Sequence, residues 1–299
     1  MNKHAFLIMA HHRPDLLAEL VKAIDDPRND IFIHLDAKSE IADFHVKTQY
    51  SSLYFTKRIP VEWGGYSQIE CELLLFEAAF QKGPYDYYHL LTGSTYLLKS
   101  NDGIHDFFDE NQGKEFIGFD NNNDYSFRSN HYFLFNEIGK PTTIKKKILW
   151  KIRNLFLLIQ KAVHFNKRAI SRNLNKIKIK KGLAYVSVTN SFVSYILQQR
   201  ALIKALFSNS ISGDECFLQT LAYNSNFKDN LYCVRDEYEG NMRTMAWDDL
   251  FGTRTGHNFE MCDLEYLLQC DKLFALKFEG PDGMKLISSL KEEIRSNAS

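Results

Sequence analysis

The last third of the chain holds one carboxylate and two separated cations whose chemistry is complementary. The carboxylate is Glu215, in the motif Gly213-Asp214-Glu215, and the cations are Arg254 and Lys277. A carboxylate can take the proton from an attacking hydroxyl group, and fixed cations can stabilise the negative charge that grows on a departing diphosphate. Together these residues offer the roles that a sugar-transfer site needs if it works without a metal ion.

Each of these residues also has an ordinary structural explanation. The apolar spacing predicts a helix over 214–223 with Asp214 as its cap, so Glu215 would lie in the first turn, where acidic side chains are common without any function. Lys277 lies in a predicted apolar strand, where a single lysine can alternate to the solvent-exposed face. Arg254 lies in a loop between Gly252 and Gly256. The functional interpretation therefore requires the three residues to meet in one cleft.

Two tryptophans stand beside residues that suit a ligand site. Trp63 precedes Gly64-Gly65, where the glycines allow either a tight turn or the close approach of a ligand to the backbone. Trp247 precedes Asp248-Asp249, and a flat apolar ring beside carboxylates is common in sugar-binding sites. A tryptophan buried in the core is the alternative explanation at both positions.

The order of predicted elements indicates an α/β fold with a mainly parallel central sheet flanked by helices. Short apolar runs predict strands over 5–10, 31–35, 53–55, 85–91, 115–119, 183–188, 231–234 and 242–245. Helical periodicity predicts helices over 15–24, 67–80, 191–197, 214–223, 263–268 and 281–294. Ligands of such sheets bind at the carboxyl ends of the strands, and His11, Asp36 and Gly93-Ser94 are expected there.

The same strand ends are the place to look for metal ligands. His11 and Asp36 could approach each other across adjacent strands, but no third or fourth ligand is evident. Metal-dependent sugar transferases of this architecture usually carry an Asp-x-Asp motif at a strand end, and Gly93-Ser94-Thr95 has no carboxylate there. The acidic pair of Asp120 and Asp124 has the composition of a loop. We therefore expect a site without a metal.

Composition is that of a globular protein, with 299 residues, 44% hydrophobic residues and a formal net charge of zero. Five cysteines are scattered without a C-x-x-C pair, which favours free thiols in a reducing cytoplasm. The apolar run over 5–10 lacks a cleavage site, so we expect no signal peptide. No stretch approaches the roughly 20 apolar residues that cross a bilayer.

Charge is not evenly distributed along the chain. Residues 140–181 hold 14 Lys and Arg residues and no Asp or Glu. Within this basic segment, apolar residues recur at helical spacing from Ile144 to Val163, with lysines between them. An amphipathic helix with cationic residues suits the surface of an anionic membrane through 143–165. The alternatives are a helix that packs on the domain with solvated charges, and nucleic-acid binding, for which no recognition motif is present.

Three N-terminal motifs give the chain a resemblance to a known family. Met9-Ala10-His11-His12 and Ile33-His34-Leu35-Asp36 are similar to the Val-Val-His-His and Ile-His-Val-Asp motifs of the Core-2/I-branching β-1,6-N-acetylglucosaminyltransferases, glycosyltransferase family 14, which includes the peptide O-xylosyltransferases. The segment from Val61 to Ser67 resembles the family's Trp-Gly-x-x-Ser before a long helix. The segment from Tyr88 to Tyr96 resembles its Leu-Ser-Gly-x-Asp-x-Pro.

The C-terminal motifs are more diagnostic. Gly213-Asp214-Glu215 resembles the family's Pro-Asp-Glu, whose glutamate is the catalytic base. Arg254 and Lys277 flank Asp263-Leu264 with the spacing of the family's diphosphate-binding arginine and lysine. The resemblance covers about residues 4 to 280. It implies a single GT-A-like, Rossmann-like glycosyltransferase domain over 1–299, with a basic helical insertion at about 140–181.

The resemblance also implies an inverting, metal-independent transfer from a UDP-sugar, with UDP-N-acetylglucosamine as the expected donor. Glu215 would be the catalytic base and would require no cofactor. The expected donor-binding residues are His11, Asp36, Trp63, Gly93, Ser94, Arg254 and Lys277. The expected acceptor-binding residues are Arg128, Asp214 and Trp247.

Two departures from the family pattern shape the remaining expectations. Thr95 and Leu97 replace the family's Asp and Pro, which favours the alternative of a non-catalytic sugar-nucleotide- or glycan-binding protein with a decayed site. The cysteines do not follow the disulfide pattern of the animal, Golgi-resident members. We therefore expect a bacterial, cytoplasmic protein, peripheral at the inner face of the cell membrane. Its acceptor would be a glycan, either free or lipid-linked, in surface polysaccharide or lipopolysaccharide synthesis, and it would bind no nucleic acid.

Overall fold

In the computed structural model, which describes residues 3–165, 176–248 and 255–297, the chain has a mixed α/β fold. The strands are β1 (His4–Ala10), β2 (Asn29–Leu35), β3 (Ser52–Phe55), β4 (Tyr87–Thr92), β5 (Tyr96–Leu97), β6 (Ser187–Thr189), β7 (Arg243–Met245), β8 (Trp247–Asp248), β9 (Thr255–Gly256) and β10 (Phe274–Leu276). The main sheet has the order β3-β2-β1-β4-β6, with β6 antiparallel to β4 and the other neighbours parallel. The expected GT-A-like architecture of a mainly parallel sheet is confirmed.

The helices are α1 (Pro14–Ala23), α2 (Tyr66–Phe80), α3 (Asn101–Glu110), α4 (Phe127–Asn130), α5 (Ile144–Ala162), α6 (Asn190–Gln198), α7 (Arg200–Phe207), α8 (Phe217–Tyr223), α9 (Glu237–Asn241), α10 (Leu264–Gln269) and α11 (Gly283–Asn297). Strands β1, β2 and β4 are buried almost throughout because helices cover both faces of the sheet. Leu7 packs in the same apolar cluster as Phe76 of α2 on one face. Phe6 packs in the same cluster as Leu17 of α1 and Phe108 of α3 on the other.

Several predicted boundaries were wrong, and the reasons are local. The strand predicted over 183–188 is confined to Ser187–Thr189, and the strands predicted over 115–119 and 231–234 are reduced to isolated bridges at Glu115, Phe116 and Leu231. The predicted helix over 214–223 begins only at Phe217. The residues before it form a turn, in which the amide of Cys216 donates to the carbonyl oxygen of Gly213 at 2.9 Å.

A second, smaller sheet lies beside the main one and has the order β5-β10-β7. Its central strand is parallel to β7 and antiparallel to β5. The amide of Phe278, just after β10, donates to the carbonyl oxygen of Ser94 at 3.2 Å. This contact brings the end of β10 to the carboxyl edge of the main sheet.

The five cysteines all lie in described parts of the chain and are free thiols, as the sequence predicts. Within the same parts, none of the helices has the length and apolar character needed to cross a membrane.

Three histidines form a buried cluster against the main sheet. The Nε2 atom of His89 lies 3.1 Å from Nδ1 of His4, and the rings of His4 and His105 stack with centroids 4.1 Å apart. The Nδ1 atom of His89 lies 2.8 Å from the Ser187 hydroxyl. Burial lowers the pKa of all three imidazoles, that of His4 to about 2, and the neighbouring ring of His105 adds to the shift at His4. These side chains are therefore neutral in the folded protein.

This cluster predicts a loss of stability in mild acid. Below pH 6.5 the unfolded chain protonates His4 while the folded protein does not, so the free energy of unfolding falls as the pH is lowered toward 2. One such histidine contributes a slope of about 1.4 kcal/mol per pH unit. We expect urea denaturation of His4→Phe to show a slope shallower by about that amount between pH 6 and 4. The same change at the exposed His45 should leave the slope unchanged, and equal slopes for both variants would contradict this prediction.

Candidate functional site

The carboxyl ends of β1, β2 and β4 bring three predicted donor-binding positions together. The amide of Asp36 donates to the carbonyl oxygen of Ala10, and that of Gly93 donates to Met9, both at 2.9 Å. His11, Asp36 and Gly93 therefore follow three neighbouring strands at one edge. A Cβ atom at Gly93 would lie 3.3 Å from the Cβ of Ala10, so a larger residue would crowd this edge.

Lys277 reaches the same edge from the second sheet. It directly follows β10, outside the strand in which it was predicted. The backbone amide of the neighbouring Phe278 donates a hydrogen bond to the carbonyl oxygen of Ser94. Burial and the neighbouring His12 lower the pKa of His11, and the positive charge of Lys277 contributes. The ammonium group thus lies within electrostatic range of His11. The structure brings His11, Asp36, Gly93, Ser94 and Lys277 into one half-site.

Glu279 belongs to this half-site although the sequence analysis did not identify it. Its carboxylate lies 3.4 Å from Nε2 of His12, and its carbonyl oxygen accepts from the Arg13 guanidinium at 2.7 Å. Burial would raise the pKa of Glu279, but Lys277, Ser94 and His12 outweigh it and lower that pKa. The available signal was the alternation Lys-Phe-Glu, which places residues 277 and 279 on the same side of an extended chain.

Glu215 is held in a second half-site by two cations. The Arg128 guanidinium donates to Oε2 of Glu215 at 2.6 Å, and the Lys181 ammonium lies 3.7 Å from the same oxygen. Lys181 also lies 3.6 Å from a carboxylate oxygen of Asp120. The Glu215 side chain remains 36% exposed, so a hydroxyl group of a ligand can reach it.

The backbone around Glu215 explains how Lys181 is placed. The amide of Gly182 donates to the carbonyl oxygen of Glu215 at 2.9 Å, and the amide of Asp120 donates to Lys181 at 2.8 Å. A Cβ atom on residue 182 would lie 1.9 Å from the carbonyl oxygen of Gly118. Only glycine fits between these two segments, and its presence lets Lys181 lie between Asp120 and Glu215.

The charges around Glu215 stabilise one another. Burial works against the charged form of Lys181, but Glu215, Glu237 and Asp120 outweigh it and raise its pKa. Burial raises the pKa of Glu237 to about 7; Asp120 and Glu215 add to this shift and Lys181 opposes it. Arg128 also has a raised pKa because Glu215 outweighs the effect of its burial. The cations therefore stay charged at neutral pH, and Glu237 is poised to exchange a proton.

Asp214, which was predicted to bind the acceptor, is next to Glu215 and is buried. Its Oδ2 atom accepts from the Gln68 amide at 3.1 Å. Burial, with the neighbouring charge of Glu215, raises its pKa to about 7. Glu72, one helical turn beyond Gln68 in α2, is fully buried, and burial together with the charge of Asp214 raises its pKa well above the usual range.

Trp63 lies on a rim beside the Glu215 turn. The carbonyl oxygen of Gly64 accepts from the amide of Ser212 at 2.9 Å, and the positive φ of 74° at Gly64 allows this bend. The Trp63 ring is 61% exposed, with the Lys140 ammonium 5.5 Å from its centroid. Trp63 is therefore a surface aromatic available to a ligand.

Tyr185 connects the two half-sites electrostatically. Burial raises the pKa of its hydroxyl well above the usual range, and the carboxylates of Asp214, Glu279 and Glu215 add to the shift. Carboxylates of both half-sites, Glu279 and Glu215, therefore act on the Tyr185 hydroxyl. Sequence patterns indicate nothing about Tyr185 beyond its place in the strand predicted over 183–188.

An open pocket of about 330 Å³ adjoins the Glu215 cluster through Asp120 and Lys181. Its other walls are the 121–126 segment, confirmed as a loop, and residues 178–180. Within the described ranges, no cluster of three His, Cys, Asp or Glu side chains has the arrangement of a metal site. A ligand of the size of a sugar ring can enter this pocket beside Asp120 and Lys181.

Of two further predicted site residues, the structure describes only the backbone of Trp247 and does not describe Arg254. The backbone of Trp247 begins β8, which pairs with β9 so that residue 247 faces Gly256 across the hairpin. Arg254 lies outside the described residues and directly precedes β9 in the sequence.

Comparison with known proteins gives a consistent result. The model of the Core-2/I-Branching enzyme family matches residues 4–268. An N-acetyllactosaminide β-1,6-N-acetylglucosaminyl-transferase from Mus musculus is 25% identical over 92% of this chain and 68% of its own length, and the Homo sapiens protein of that name is 24% identical with the same coverage. A β-1,3-galactosyl-O-glycosyl-glycoprotein β-1,6-N-acetylglucosaminyltransferase from Bos taurus is 23% identical over 98% of this chain and 70% of its own.

Proposed function

Since the chain belongs to the Core-2/I-branching enzyme family and is a glycosyltransferase of the β-1,6-N-acetylglucosaminyltransferase type, we propose that it transfers N-acetylglucosamine from UDP-N-acetylglucosamine to a glycan hydroxyl group, with inversion and without a metal ion. A sugar nucleotide and a glycan are the substrates that the family implies. The observation that carries the proposal is the 36% exposed Glu215 carboxylate held by Arg128 and Lys181, in a chain that also brings Lys277 to the carboxyl ends of the strands.

In the proposed reaction, Glu215 takes the proton from the acceptor hydroxyl as its oxygen attacks the anomeric carbon of the donor. The bond from that carbon to the diphosphate oxygen breaks on the opposite face, and UDP leaves with the electron pair. Arg128 and Lys181 hold the Glu215 carboxylate toward the cleft before it accepts the proton. Asp214 supports this turn from behind through Gln68.

Lys277 stabilises the charge on the departing diphosphate, and Arg254 is proposed to share this role. The position of Lys277 supports its part, because it joins His11 and Ser94 at the edge where nucleotides bind in α/β sheets. Asp36, at the end of the neighbouring strand, is proposed to contact the uracil or the ribose. Trp63 and Trp247 are proposed to contact the sugars.

Another carboxylate lies near the position where Thr95 replaces the Asp of the family motif. The hydroxyl oxygen of Thr95 accepts from the amide of Thr92 at 3.2 Å, so this buried side chain is engaged with its own turn. Glu279 provides a carboxylate near Ser94 at the same edge. The cleft thus keeps an acidic group, which argues against the alternative of a non-catalytic binding protein with a decayed site.

Donor turnover in chelator tests this proposal. We expect the protein to release UDP slowly from UDP-N-acetylglucosamine without an acceptor, and excess EDTA should change the rate less than twofold, because side-chain cations do the work that a metal performs in other transferases. The measurement is a coupled assay of UDP, with UDP-glucose as the matched donor control. Strict dependence on manganese would contradict the proposed role of Lys277, and binding of UDP without any release would favour the non-catalytic alternative.

We further propose that the acceptor is a lipid-linked glycan of bacterial surface polysaccharide or lipopolysaccharide synthesis. In this setting the protein would be cytoplasmic and peripheral at the inner face of the cell membrane. The support is the segregation of charge, with 14 basic and no acidic residues over 140–181.

A further inference from the structure

Helix α5 buries polar side chains and exposes apolar ones, the reverse of an ordinary surface helix. Arg153 and Gln160 are its buried residues, with exposed fractions of 6% and 1%. Ile144 and Leu158, in contrast, are 79% and 63% exposed. The side of α5 that faces the domain therefore includes two buried polar side chains beside the half-buried Leu149, Phe156 and Leu157, and its outward side carries exposed apolar residues.

The polar contacts of α5 attach it to the segment that carries Arg128. The side chain of Gln160 accepts from the amide of Tyr132 at 2.9 Å and donates to the carbonyl oxygen of Tyr132 at 2.8 Å. The Lys161 ammonium lies 5.2 Å from the ring centroid of Phe127, the residue next to Arg128. Since Arg128 pairs with Glu215, the helix is joined to the candidate active site through a short segment of chain.

The outward face of α5 is a continuous apolar stripe bordered by lysines. At 3.6 residues per turn, one side of the helix collects Ile144, Ile148, Ile152, Leu155, Leu158, Ile159 and Val163, all exposed. Lys145 borders this stripe on one side, and Lys147 and Lys151 border it on the other. No acidic residue occurs in α5. A contiguous apolar patch of this kind marks a surface that binds something.

The lysines beside the apolar stripe indicate which class of partner binds the outward face of α5. A second copy of this face would bring lysines of like charge together, which is unfavourable. A nucleic acid would attract the lysines but would leave the isoleucines and leucines in water. An anionic lipid surface suits both the apolar stripe and its lysines, because the apolar side chains enter the headgroup boundary while the lysines contact the lipid phosphates.

We propose that the outward face of α5 is a docking surface for an anionic lipid bilayer. The helix is about 28 Å long and lies in the plane of the interface. Docking itself depends only on the exposed face of α5. The link between docking and a lipid-linked acceptor rests on the proposed function. Docking would hold the Arg128 segment, and with it Glu215, beside the membrane surface where a lipid-linked hydroxyl is presented.

The test is co-sedimentation of the whole protein with sucrose-loaded vesicles, either of phosphatidylcholine alone or with 30 mol% phosphatidylglycerol. We expect the wild type to pellet with the anionic vesicles and to be released by high salt. The triple variant Ile148→Ser, Leu155→Ser and Ile159→Ser should bind on the order of a hundredfold more weakly, because each change removes an apolar side chain from the interface. The double variant Lys147→Gln and Lys151→Gln should bind roughly twentyfold more weakly.

Ile41→Ser is the matched control, since Ile41 is equally exposed but lies outside α5, and it should bind like the wild type. Unaltered binding of the triple serine variant would overturn the proposal, as would equal binding to neutral and anionic vesicles. A dimer in light scattering that the serine changes dissociate, without vesicle binding, would instead make the face an interface between copies. UDP release should persist in all α5 variants, so a failure of docking is distinguishable from a failure of the proposed catalysis.

Discussion

Replacing Glu215 by glutamine is expected to lower kcat roughly a thousandfold, the typical contribution of a positioned general base. Glutamine has the shape of glutamate and can still accept the hydrogen bond from Arg128, so the turn from Asp214 to Cys216 should keep its structure. Donor binding should change less than twofold, because the donor is proposed to bind at the other half-site, which contains Lys277. Radiolabelled transfer to an acceptor-containing membrane extract measures kcat, and calorimetric titration with UDP measures donor binding.

The matched control for this change is Glu70→Gln, at an exposed glutamate of α2. It should transfer at the wild-type rate. Transfer by Glu215→Gln within fivefold of the wild type would remove Glu215 from the mechanism. If Glu215→Gln lost both UDP binding and transfer, the change would have disturbed the whole cleft. The assignment of Glu215 as the base would then lack support.

Replacing Lys277 by methionine is expected to lower kcat/KM by roughly two to three orders of magnitude, the range measured for a preorganised group that stabilises transition-state charge. Methionine keeps most of the apolar stem and removes the charge that lies near His11 and Glu279. Lys277→Arg should recover part of the activity because it restores a cation with a different geometry. Initial rates of UDP release over a range of donor concentrations provide the measurement.

Lys285→Met is the control for loss of a positive charge, at an exposed lysine of α11. It should be indistinguishable from the wild type. Equal activity of the methionine and arginine variants at position 277 would show that charge at this position does not matter. That result would contradict diphosphate stabilisation by Lys277 even if both variants were impaired.

The meeting of His11, Asp36 and Gly93 at one edge of the main sheet could be predicted from the sequence because it follows from topology. Apolar runs before His11, Asp36 and Gly93 predict buried parallel strands, and parallel strands end at one edge of a sheet. Lys277 joined them through a second sheet that the sequence did not predict. Strands over 242–245 and before Lys277 were predicted and correspond to β7 and β10, but strands of two or three residues are too short to indicate which of them pair in a sheet.

The surroundings of Glu215 could not be predicted, because they depend on long-range packing. Arg128 meets Glu215 from the short helix α4 and Lys181 from a separate loop, and Lys181 does so only because Gly182 fits against Gly118. Lys181 is the last residue of the basic segment. No sequence pattern distinguishes it from the lysines of that segment that are exposed to solvent. The burial of Asp214 likewise follows from α2, whose Gln68 reaches it across the chain.

Helix α5 shows a further limit of sequence patterns. Periodicity predicts that one face is apolar and another polar, and the ordinary expectation buries the apolar face. The structure instead buries Arg153 and Gln160 and leaves seven apolar residues exposed, and Gln160 provides hydrogen-bonding partners for both backbone groups of Tyr132. The orientation of an amphipathic helix is therefore decided by the surface beneath it.

The most direct test of the central claim is to follow UDP-N-acetylglucosamine by proton NMR in the presence of excess EDTA, and to identify the anomer of the sugar first released. Two half-sites on opposite faces of the anomeric carbon, with Lys277 beside the diphosphate and Glu215 beside the attacking hydroxyl, predict β-N-acetylglucosamine and UDP appearing together. Initial release of the α-anomer, or turnover that appears only when a divalent metal is added, would contradict the account.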